Sequence, residues 1–159
     1  MTLLMEAAHH VAEQKKAIEC LMCHELWFDS YISLADHQDF VPIDYLLVFN
    51  SRPVGSCEIK GRSKTISNAF PLPISVAKYH NCASGNSQPW RVGRDATNLI
   101  VWACNDGLIY GDTKHIVTGK IEIGGRYDRQ DLSLPNDVEP MFYISLRANK
   151  DALQIVHYQ

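Results

Sequence analysis

From Ile59 to Arg94 the chain contains no aspartate or glutamate, although Asp and Glu outnumber Lys and Arg by 18 to 15 over its 159 residues. Lys60, Arg62, Lys64, Lys78, Arg91 and Arg94 all fall in that acid-free tract. Residues 1–44 carry −6, residues 45–94 carry +6 with Glu58 as the sole acid, and residues 95–159 carry −3. A concentrated positive tract suits a polyanion, while the overall charge of −3 argues against a tight, non-specific grip on one. Long apolar runs are also missing. None approaches the ~20 residues that span a bilayer, so no membrane partner is expected. Residues Met1 to His10 lack the basic start and apolar core of a secretion signal, and a cytoplasmic location is expected.

The five cysteines are odd in number and form no dense framework, so reduced thiols are expected. Cys20-Leu21-Met22-Cys23-His24 has the spacing of a c-type haem attachment motif, but it falls inside a helical pattern. It reads as two small apolar residues and a histidine on a helix. No second Cys/His pair follows at zinc-finger spacing. A hydrophobic share of 46% with 21% charged residues marks an ordinary globular composition, and the length predicts one domain over residues 1–159.

Leu4, Ala8, Val11, Ile18 and Met22 recur at three- and four-residue steps and predict a helix over residues 3–28. Residues 29–41 are polar and mixed, and read as a connector. Ile43 to Phe49 and Val54 to Lys60 read as two strands of an antiparallel hairpin, joined by turn chemistry at Asn50-Ser51-Arg52-Pro53. Ile74 to Cys82 has short helical spacing, and Asn81 to Thr97 reads as an exposed insertion. Asn98 to Cys104 is a buried strand, turned by Asn105-Asp106-Gly107 into Leu108–Tyr110. Ile116–Ile123 and Met141–Leu146 are further expected strands. The order predicts an α/β (α+β) fold, a mixed sheet covered by helices.

Three acid-x-Lys triplets occur: Glu13-Gln14-Lys15, Glu58-Ile59-Lys60 and Asp112-Thr113-Lys114. The first lies in a helical stretch with no upstream Asp. The third has Asp95 before it, but Gly111 marks a strand end and Asp95 sits in a polar loop. The second lies on the hairpin, where alternation puts Glu58 and Lys60 on one face and the hairpin's outer end brings Asp44 alongside. Two carboxylates beside a lysine can hold a divalent cation and activate water against a phosphate ester. The plain alternative is a surface hairpin with cross-strand charge pairs.

Pro42-Ile43-Asp44 followed by Glu58-Ile59-Lys60 resembles the signature of the PD-(D/E)xK nuclease superfamily. The resemblance implies a restriction-endonuclease-like mixed central sheet flanked by helices, in a small member of the kind that phages encode and that acts in an infected host. It implies Mg²⁺, replaceable by Mn²⁺, held by Asp44, Glu58 and the carbonyl of Ile59, with Lys60 orienting the attacking water. It also implies a glutamate from the first helix, for which Glu13 is chosen over Glu6 and Glu19. DNA is the implied substrate, contacted by Arg62, Lys64 and Lys78, and such nucleases often work as homodimers. Gly124-Gly125-Arg126-Tyr127-Asp128-Arg129 and Asp137-Val138-Glu139-Pro140 are similar to endings of small phage proteins of this kind. The competing expectation is a non-catalytic interaction or virion-associated protein that keeps the nuclease fold.

Overall fold

A computed structural model describes residues 3–34, 43–87, 90–92, 96–125 and 138–159. Helix α1 runs Leu3–His24 and lays Ala17, Ile18 and Leu21 against the sheet, one apolar stripe at helical spacing. It ends four residues before the expected boundary, and Phe28 then turns into the core. Strand β1, Ser30–Ser33, pairs antiparallel with β2, Tyr45–Phe49, with Ser33 opposite Tyr45. Part of the expected connector is therefore a strand. The Tyr31 and Tyr45 rings meet edge to face at 5.6 Å, so a strand of only four residues is anchored by one aromatic pair.

Asn50 and Ser51 both take positive φ, as a two-residue hairpin turn requires, and β3 starts directly after them at Arg52 and runs to Gly61. A register shift beside Val48 places Pro53, which has no amide to give the ladder, at the irregularity. Strand β4, Leu72–Ser75, precedes α2, Val76–Ser84. The helix starts there because the Ser75 hydroxyl accepts the Lys78 amide at 3.1 Å, and it stops at Gly85 with φ +61. A small hairpin follows, β5 Asn86–Ser87 and β6 Trp90–Arg91.

Strand β7, Thr97–Ala103, returns parallel to β3, with Glu58 opposite Ile100 and Lys60 opposite Trp102. The Asn105-Asp106-Gly107 turn leads into β8, Gly107–Asp112. β9 is Glu122–Gly125, β10 Val138–Ile144 and β11 Gln154–His157. The main sheet has the order β1-β2-β3-β7-β8-β11, and a second sheet the order β4-β10-β9. The fold is thus mixed α/β, with a mixed sheet and, among the described residues, two α-helices.

Residues 116–121 are not the expected strand. The Ile116 amide is taken by the Asp112 carbonyl, and the Asn149 side chain both accepts from the Val117 amide and donates to its carbonyl. A side chain thus satisfies the main chain where a strand partner would otherwise be needed. β11, not anticipated from the sequence, covers the outer side of β8.

Two apolar layers enclose the main sheet. Cys57, Ile59, Leu99 and Val101 face α1, while Ile100, Trp102 and Ile109 pack with Tyr79 and Cys82 of α2 and with the second sheet. The Trp102 indole donates to the Pro73 carbonyl at 2.8 Å and ties the two sheets together. Among the described residues no helix is long and apolar enough to cross a membrane.

Candidate active site

The β2–β3 ladder has Tyr45 opposite Cys57, and the next position outward sets Asp44 against Glu58. At this point β2 has ended, and the Ile59 amide donates instead to Asp44 Oδ2 at 2.8 Å. The Asp44 main chain hydrogen-bonds back to the Glu58 carboxyl, and the Asp44 carbonyl accepts the Leu34 amide at 3.0 Å. Asp44 is therefore fixed through both its main chain and its side chain. The amide and carbonyl of a strand residue point toward the same neighbour, so the Ile59 carbonyl also faces the Asp44 side.

Glu58 lies on the β3 face toward α2, like Ser56, which hydrogen-bonds Asn98 at 2.7 Å and lies 3.9 Å from Cys82. Only 4% of Glu58 is exposed. Burial, reinforced by the nearby Asp44 charge, pushes its carboxyl up to about 8; Lys78 and the Asp44 hydrogen bond pull the other way. Lys78 reaches in from α2 and sets its Nζ 3.6 Å from Glu58 Oε1.

A polar cleft of about 360 Å³ opens at this end of the sheet. Asp44, Ile59, Lys60, Arg62, Lys78 and Glu13 all line it. Among the described first-helix candidates, Glu13 is the one at the cleft. Glu19 points elsewhere and accepts the Tyr31 hydroxyl at 3.2 Å, and the Glu6 side chain lies outside the described residues. Glu58 itself does not line the cleft.

Arg62 and Ser63 begin a basic loop that is held at several points. Arg62 donates its amide to Ala103 and its Nε to the Ala69 carbonyl at 3.1 Å. The Asn105 amide donates to Lys64, and the Asp106 carboxylate accepts the Ile66 amide at 2.8 Å. Lys64 is exposed on this loop but does not line the cleft. Gln14, Ser63 and Asn105 do, and the sequence did not single them out. Asn105-Asp106 is legible as a turn, but its grip on a loop some 40 residues earlier carries no local signal.

The rival triplet ends β8 at Asp112. Lys114 lies 3.6 Å from Asp112 and donates to the Ala96 carbonyl at 2.9 Å, a local arrangement on the surface. Cys20, Cys23 and His24 occupy the last turns of α1 beside a separate cavity with His157 and Tyr158. Burial raises the Cys20 thiol above its ordinary value. Pro42, Arg94, Asp95, Arg126, Tyr127, Asp128, Arg129 and Asp137 lie outside the described residues.

Among the described residues, no three His, Cys, Asp or Glu side chains gather as a metal-holding group. The set at the end of β3 is different: two carboxylates and one main-chain carbonyl. These are hard oxygen donors of the kind that suit Mg²⁺ or Mn²⁺, with remaining positions left to water. The mutual cost of the Asp44 and Glu58 charges is what a divalent cation would relieve, so the residues fit such an ion. The chain gives no match to a protein-family model, a curated protein or a solved structure.

Proposed function

We propose that this protein is a Mg²⁺-dependent deoxyribonuclease with a restriction-endonuclease-like fold. The observation that carries the proposal is the Asp44 carboxylate locked onto the Ile59 amide, directly across from Glu58, at the mouth of a cleft lined by Lys60 and Arg62. The order helix, three antiparallel strands, crossover helix and parallel strand supports the fold assignment.

Asp44, Glu58 and the Ile59 carbonyl would hold the cation, which when bound acidifies a water and neutralises charge on phosphate. Lys60 orients that water and stabilises charge on the phosphate oxygens. Arg62 positions the backbone of the nucleic acid, its guanidinium already anchored through Nε on the Ala69 carbonyl. Glu13 faces the same cleft from α1 and extends the acidic side of the site.

One observation favours the rival, a non-catalytic protein that keeps the fold: Glu58 is buried and already paired with Lys78. Incubation of supercoiled, branched and single-stranded DNA with Mg²⁺ or Mn²⁺ separates the two. The nuclease reading expects cutting by the wild type and none by a folded Lys60→Ala variant. No cutting by either protein on any substrate would leave the rival standing, and equal cutting by both would remove Lys60 from the catalytic set.

A further inference from the structure

Lys78 is rooted firmly and ends loosely. Its amide is fixed by the Ser75 cap at 3.1 Å, in the first turn of α2. Its side chain remains 55% exposed, yet its ammonium reaches inward to within 3.6 Å of Glu58, whose side chain is only 5% exposed. A half-exposed surface cation is thereby laid on a buried carboxyl group. Glu58 needs such a charge, because it is set against Asp44 at the end of the ladder.

A divalent cation held by Asp44, Glu58 and the Ile59 carbonyl would lie about 2.1 Å from its oxygens. It would then share one carboxylate with an ammonium whose Nζ lies 3.6 Å from Glu58 Oε1, and two positive charges drawn to one carboxylate repel each other. Lys78 has somewhere else to go, because it also lines the cleft that Lys60 and Arg62 line. Moving outward would carry its charge from Glu58 toward the position a phosphate would occupy.

We propose that Lys78 is an exchangeable counter-ion: it pairs with Glu58 until a divalent cation displaces it, and then turns to the substrate's phosphate backbone. The inference rests on the nuclease reading above and deepens it. Metal loading and nucleic-acid binding become coupled through one side chain, and that coupling must act equally in both directions.

The test is calorimetric titration of Mn²⁺ into the full chain, with Lys78→Gln, Lys78→Met, Lys78→Arg and Glu58→Gln beside the wild type. Removing the competing charge should tighten Mn²⁺ binding roughly tenfold in Lys78→Gln and Lys78→Met. Lys78→Arg, which keeps the charge, should stay near the wild type, and Glu58→Gln should lose binding. Mn²⁺ affinity that is unchanged or weaker in both neutral variants overturns the counter-ion role and leaves the nuclease proposal intact. A wild type and neutral variants that all fail to bind Mn²⁺ overturn both.

Discussion

The Asp44 carboxylate accepts the Ile59 amide at 2.8 Å, and so takes the place of the main-chain partner that β2 no longer supplies. One acid thereby closes the hairpin and stands at the mouth of the cleft.

Those two tasks come apart by substitution. Asp44→Asn keeps an oxygen for the Ile59 amide and should unfold within about 1 kcal/mol of the wild type, whereas Asp44→Ala leaves the amide unmet and should cost about 1–2 kcal/mol. Both should lose metal-dependent cleavage. Urea unfolding and a nicking assay on the same preparations check this; equal stability of the two variants would remove the structural half.

Glu58 makes stability depend on pH. Its folded carboxyl titrates at about 8 against an ordinary 4.5, so the folded state holds its proton more tightly than the unfolded state does. The contribution is fully present below 4.5 and is lost as pH rises toward 8. Without divalent ions, Glu58→Gln should therefore gain on the wild type across that window, by an amount on the order of a few kcal/mol at its upper end. Unfolding midpoints in EDTA-containing buffers from pH 5 to 9 would show it, and a difference that does not change with pH would contradict it.

Asp106 is expected to hold the basic loop through the Ile66 amide. Asp106→Ala should cost about 1–2 kcal/mol and speed tryptic cleavage after Arg62 and Lys64. Unaltered cleavage rates at those two bonds would mean the loop is held by its other contacts alone.

Arg62 lines the cleft and Lys64 does not, which separates two residues of one basic run. Arg62→Ala should weaken DNA binding and lower the slope of log affinity against log salt by about one. Lys64→Ala should change the slope less. Fluorescence anisotropy at several salt concentrations, with Ca²⁺ in place of Mg²⁺ to hold back cutting, gives both slopes.

The hairpin was legible because its signals are local: Asn50-Ser51 supplies the turn, and alternation along Glu58-Ile59-Lys60 sets the faces. Its register then places Asp44 beside Glu58 without any long-range information. β1 and β11 were not legible, since each has four residues and is fixed by a partner that the local sequence does not name. Residues 116–121 differ from the expected strand for a similar reason: Asn149, more than 30 residues away, satisfies Val117. What separates Glu13 from Glu19 in the fold is tertiary placement, because both lie on exposed parts of α1 and differ in what they face.

A crystal of the protein soaked in Mn²⁺, with diffraction recorded at the manganese absorption edge, tests the central claim most directly. The predicted result is one anomalous peak about 2.1 Å from oxygens of Asp44, Glu58 and the Ile59 carbonyl, with Lys78 moved off Glu58. A map with no peak there at saturating Mn²⁺, and Lys78 still seated on Glu58, would contradict it.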